Sequence, residues 1–151
     1  SARETVERIW FSLFTPQRGA HLPEILSERQ RKQAVDELLE LRQRYAKLAM
    51  PPALLREFLN PPRSPKECIF AMTKRTISAD LKTRITPCQL GGDPDCAQCG
   101  CMASMALAAV GNHKLAGLIP VSTLFKASFH AGELLNPARE AEPEPALRIL
   151  Q

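Results

Sequence analysis

The sequence predicts an α+β protein: a strand-and-helix unit, then a small β-hairpin with helices gathered around a group of thiols. Three observations lead there. An apolar, aromatic run at 7–16 precedes a long amphipathic pattern. An alternating stretch with a polar turn occupies 68–88. Four of the five cysteines fall within residues 88–101, which read CQLGGDPDCAQCGC.

The first run, ERIWFSLFTP, is short, apolar and closed by Thr15-Pro16, as a buried parallel strand would be. Ser27 with Gln30 three residues later forms a capping box. Val35, Leu38, Leu39, Tyr45 and Leu48 then recur at helical spacing, so a helix is expected over 27–48, with Glu28–Lys32 and Glu40–Arg44 pairs on its outer face. Pro51-Pro52 ends it. One strand and one helix cannot close a fold, so 1–60 reads as the terminal piece of a larger α/β unit.

Residues 53–59 suit a short helix, and the Pro-rich stretch 60–67 suits a joint. Ile77, Ala79 and Leu81, then Thr83 and Ile85, alternate about a polar turn near 79–82. A hairpin there would carry Cys68 and Cys88 at its outer ends and bring them together. Residues 102–110 are small and apolar on nearly every side, as in a helix buried all round and ended by Gly111-Asn112. Another helix is expected over 120–135, with Leu124, Phe125, Ser128 and Phe129 on one face. The boundaries read as 1–60, 61–135 and a flexible Pro/Glu/Ala-rich tail, 136–151.

Composition narrows the function. The net charge of +4 comes from well-mixed acids and bases, which is not a nucleic-acid signature. No run of about 18 apolar residues exists, so no membrane span is expected. No secretion signal stands at the start, and a cytoplasmic location is the expectation. Nucleotide-binding glycine loops, Ser/His/Asp triads and paired carboxylates are absent from the pattern. His21, His113 and His130 are scattered. Asp80, Asp93 and Asp95 read as turn formers. Lys74, Arg75, Lys82 and Arg84 read as a solvated hairpin face, and Met72, Met102 and Met105 as core filling.

The thiols are the chemistry-bearing feature. Clustered thiolates repel unless a cation neutralises them. Cys96-x-x-Cys99 lets two sulfurs converge on one centre, and Cys68, Cys88 and Cys101 complete the group. Gly91, Gly92 and Gly100 would free backbone N–H groups to approach sulfur. Cys101 stands at the expected start of a helix, where the dipole favours an anionic sulfur. Structural zinc, ordinary buried thiols and an iron–sulfur cluster all fit. Zinc commonly uses two Cys-x-x-Cys knuckles and only one is present, so a cluster held by four of the five cysteines is preferred, with Cys101 the spare.

The order of Cys68, Pro87-Cys88 and the Cys96/Cys99/Cys101 group resembles the C-terminal auxiliary-cluster domain (SPASM or twitch type) of radical S-adenosylmethionine enzymes. The resemblance implies a 4Fe–4S cluster serving electron transfer or substrate binding. It also implies that 1–60 is the end of a partial TIM barrel. The family's Cys-x3-Cys-x2-Cys loop is absent, so S-adenosylmethionine would be bound only through an N-terminal radical portion or a partner chain, with a substrate the sequence does not name. Five cysteines supply one cluster, as in the twitch version. Leu81 follows Asp80 where the family has glycine. The alternative is a zinc-stabilised interaction module without redox chemistry.

Overall fold

The computed structural model describes residues 5–135. The elements are α1 (Glu28–Arg44), α2 (Pro52–Glu57), α3 (Ile69–Thr73), β1 (Thr76–Ile77), β2 (Arg84–Ile85), a 3-10 turn (Cys96–Gln98), α4 (Met102–Asn112), β3 (Lys114–Leu115), β4 (Ile119–Pro120) and α5 (Val121–Leu135). Both sheets are two-stranded antiparallel hairpins, β1 with β2 and β3 with β4. Helices and small hairpins together agree with an α+β class. The expected tail, 136–151, lies outside the described residues.

α1 begins as its capping box dictates. The Ser27 side chain accepts from the Gln30 backbone N–H, and the Gln30 side chain accepts from the Ser27 N–H. The helix stops at Arg44, four residues earlier than expected. Leu48 is instead used beyond the helix, in a parallel bridge to Ile9. Tyr45, expected on the inner face, is exposed. Glu40 pairs with Arg44 as expected, but Lys32 turns to Asp36 and not to Glu28.

The 7–16 run is extended, yet it is not the buried strand the sequence predicts. Its parallel pairing is confined to Ile9, whose N–H donates to Lys47 O at 2.8 Å and whose carbonyl accepts from Ala49 N at 3.3 Å. Trp10, Phe11 and Phe14 are exposed, while Leu13 packs on the core. Among the described residues no parallel sheet forms.

Val35 and Leu38 of α1 meet Leu48, Met50, and Leu54, Leu55 and Phe58 from α2 and the turn after it. Cys99, Cys101 and Met105 join the same cluster, so one core runs across the Pro-rich joint at 60–67. Met50, Leu55, Phe58 and Met105 are fully buried. Each contributes on the order of 1.5–3 kcal/mol through burial.

α4 packs against α2, α3 and α5. It extends to Asn112 and is not buried all round, since Val110 is half exposed. Gly111 lies inside the helix, where a Cβ would stand 2.4 Å from Ile69 Cδ1, so close packing and not helix termination selects glycine there. In α5, Phe125 and Phe129 are half-buried as expected, but Leu124 and Ser128 are exposed. Pro120 closes β4 just before that helix. The predicted long hairpin is short, because residues 69–73 form α3. Cys68 therefore caps a helix and does not end a strand. Asp80 makes the turn, accepting from the N–H groups of Lys82 and Thr83, both at 2.9 Å.

Candidate iron–sulfur pocket

The cysteines come from four separate parts of the fold. Cys68 is the N-cap of α3 and Cys101 the N-cap of α4. Cys88 follows the β1–β2 hairpin. Cys96 opens the 3-10 turn and Cys99 closes it. The Asp95 carboxylate caps that turn by accepting from Ala97 N–H at 3.1 Å.

All five cysteines line one hollow of about 380 Å³, its solvent mouth included. Its narrow interior leaves only about 20 Å³ for water centres. Thr15, Phe70, Leu90 and Ser104 complete the wall. All five thiols are free. Among the described residues, no three His, Cys, Asp or Glu side chains are grouped so as to hold a single metal ion.

The electrostatics follow from crowding and burial. The Cys96 thiol is pushed up to about 11 by burial and by Cys99, Cys88 and Cys68, against the opposing cation of Arg18. Burial raises Cys99, with Cys101 and Cys68 adding to it, while the Cys101 backbone N–H and the Thr15 side chain act the other way. Burial also raises Cys88, opposed by the Leu90 backbone N–H. Cys96 is raised by Cys99, Cys88 and Cys68 together, while Cys101 acts on both Cys88 and Cys99. Without a cation in the hollow, the Cys88, Cys96 and Cys99 thiols stay protonated at neutral pH.

Polar groups address the sulfurs from outside. Ser104 Oγ lies 3.1 Å from Cys68 Sγ. Gln89 Nε2 donates to Cys101 Sγ at 3.1 Å. The glycines do not act as the sequence suggests. The Gly100 N–H donates to Thr15 Oγ1 at 2.8 Å, and the Gly91 N–H donates to the Cys88 carbonyl at 3.0 Å. Gly91 and Gly92 instead supply left-handed backbone, with φ of 62° and 63°.

The 9–18 segment is stitched along the cysteine loop. Leu13 N–H donates to Gly100 O at 2.9 Å, Asp95 N–H to Pro16 O at 2.9 Å, and Arg18 N–H to Asp93 O at 2.7 Å. Arg18 and Asp93 also form an exposed ion pair at 3.2 Å. From the other side, Arg31 of α1 reaches into the core and donates to the carbonyls of Gln98 and Cys99.

The remaining sequence-marked residues stand elsewhere. His130 pairs with Glu133 at 3.1 Å, and none of the three histidines lines the hollow. Lys74, Arg75, Lys82 and Arg84 are exposed. Met105 is fully buried and Met102 packs on the core, while Met72 is half-buried. Sequence reading missed Thr15, Arg31, Gln89 and Ser104. Only Arg31 left a trace, as a cation four residues before Val35 on the inward stripe. Beside the hollow lies a wider cleft of about 1280 Å³, its open side included, bordered by Cys68, Ser104, Glu57, Arg63 and Lys126. No helix among the described residues is long and apolar enough to cross a membrane.

Comparison with protein-family models, with curated proteins and with solved structures finds no match.

Proposed function

We propose that this pocket holds an iron–sulfur cluster of the 4Fe–4S type, and that the chain is the C-terminal auxiliary-cluster part of a radical S-adenosylmethionine enzyme. One observation carries the reading: five free thiols from four separate parts of the fold border a single hollow. Thiols raised by burial and mutual repulsion need a cationic centre to ionise, and an iron–sulfur core supplies one.

Cys68, Cys88, Cys96 and Cys99 are the ligands, because each of them interacts with three other thiols and Cys101 with two. Cys101 is the spare, and its sulfur accepts from the Gln89 amide. Leu90 N–H, Thr15 and Ser104 orient ligand sulfurs and offset their charge. Bound there, the cluster supplies a one-electron acceptor for a substrate radical. Phe70 and Leu90 restrict water at the hollow, and the wider cleft beside Cys68 and Ser104 gives a substrate its approach. S-adenosylmethionine cleavage belongs to another segment or chain, since no Cys-x3-Cys-x2-Cys loop occurs in these residues. In this reading the extended 7–16 run, with its parallel bridge at Ile9, belongs to the end of a partial barrel.

Anaerobic purification tests the reading. Brown protein containing iron and acid-labile sulfide is the expected result. A colourless protein with one zinc per chain overturns it in favour of a structural module.

A further inference from the structure

Arg31 is an unusual resident of a core. It is 7% exposed, and no carboxylate among the described residues forms an ion pair with it. Its fork is spent on oxygens. Nη1 donates to Phe58 O at 3.1 Å and Cys99 O at 2.9 Å; Nη2 donates to Gln98 O at 2.7 Å and Gln98 Oε1 at 3.3 Å. These bonds use the four Nη hydrogens, and none of the acceptors is a carboxylate. Burying a cation away from a paired carboxylate costs free energy. A neutral side chain could brace the same carbonyls without that cost. The Nη1 bond to the Cys99 carbonyl sets the guanidinium against the cysteine turn, so that turn is where its charge acts.

We propose that Arg31 is the built-in counter-charge of the cysteine pocket: a positioning residue that fixes the Cys96–Cys99 turn through its carbonyls and raises the reduction potential of the cluster bound there. The inference rests on the cluster reading above. Thiolate-ligated clusters are anionic and become more so on gaining an electron, so a fixed cation nearby favours the reduced form. The wide separation of Arg31 from Cys99 in sequence places this charge on a rigid helix and not on the loop it controls.

The test uses the whole chain, reconstituted anaerobically with ferrous iron and sulfide and titrated with dithionite. Cluster content is read by iron and sulfide analysis, and the potential by electron paramagnetic resonance. Arg31→Met is expected to shift the reduced-to-oxidised ratio at fixed ambient potential by about tenfold towards the oxidised form, or about 60 mV more negative for a one-electron couple. Arg31→Lys keeps the charge and is expected to hold the potential near the wild-type value. Gln98→Glu sets a carboxylate against Nη2 without emptying the buried space. It is expected to lower the potential as well, so the test stands even where Arg31→Met fails to fold. Equal potentials in wild type, Arg31→Met and Gln98→Glu, all retaining iron, overturn the role of Arg31 and leave the cluster reading intact. Wild-type protein that takes up neither iron nor sulfide overturns the reading on which this inference rests.

Discussion

Gly100 lies so close to Leu13 that a Cβ built on it would stand 2.2 Å from the Leu13 carbonyl oxygen. The contact is backbone to backbone and is reinforced by the Leu13 N–H donating to Gly100 O, so neither side can rotate away. Gly100→Ala is therefore expected to destabilise the fold by about 3 kcal/mol, the upper end for overpacking. Urea unfolding of the iron-free protein checks this. A change within about 0.5 kcal/mol, the size of an ordinary surface substitution, would show that the segment is free to move aside.

Replacing ligands separates the five thiols. Cys68→Ser, Cys88→Ser, Cys96→Ser and Cys99→Ser are each expected to lose most bound iron and sulfide, because each removes a thiolate from the crowded set. Cys101→Ser is expected to retain the full complement, since Cys101 interacts with only two of the other thiols. Metal analysis of the five variants decides. A full cluster in Cys96→Ser with loss in Cys101→Ser would reverse the assignment.

The thiols also set a pH dependence. In the iron-free chain, Cys96 ionises near 11 when folded against 9.0 when unperturbed. Cys88 and Cys99 are raised too. An acid whose folded pKa is raised favours the folded state below its unfolded pKa. That contribution is lost as pH climbs through the folded value. Thermal melts of iron-free protein should therefore fall between about pH 9 and about pH 11, and fall less steeply in Cys96→Ser. Parallel curves for the two proteins would count against a half-buried, neutral Cys96.

Leu81 is 83% exposed and holds φ of 59°, a left-handed conformation that a side chain resists. Leu81→Gly removes that resistance and no buried contact. A gain of about 0.5–1 kcal/mol in unfolding free energy is expected, net of the extra freedom glycine brings to the unfolded chain. Destabilisation by the same amount would mean the leucine has a packing role.

What the sequence disclosed was local. Ser27 and Gln30 define the start of α1 because a capping box needs only four residues, and Val35 and Leu38 mark its inner face by period alone. Leu48 misled, because a leucine in register with the helix serves equally well in a bridge to Ile9. The 7–16 run announced extended backbone, but not how many neighbours it would find. The stretch 68–88 reads as one hairpin, yet packing against α4 makes residues 69–73 a helix. The β3–β4 hairpin turns through Ala116 and Gly117 at φ of 49° and 74°, and only the glycine hinted at it. At the pocket, thiol spacing was visible. Thr15 and Arg31 were not, since both arrive from more than sixty residues away.

Cutting the chain at the proline-rich joint would keep every cysteine and still dismantle what surrounds them. A fragment starting at residue 61 forfeits the Thr15 hydroxyl that receives Gly100, the Pro16 carbonyl that anchors Asp95, and the guanidinium beneath Cys99. The minimal unit for rebuilding this centre in the laboratory is thus longer than the stretch that bears its sulfurs.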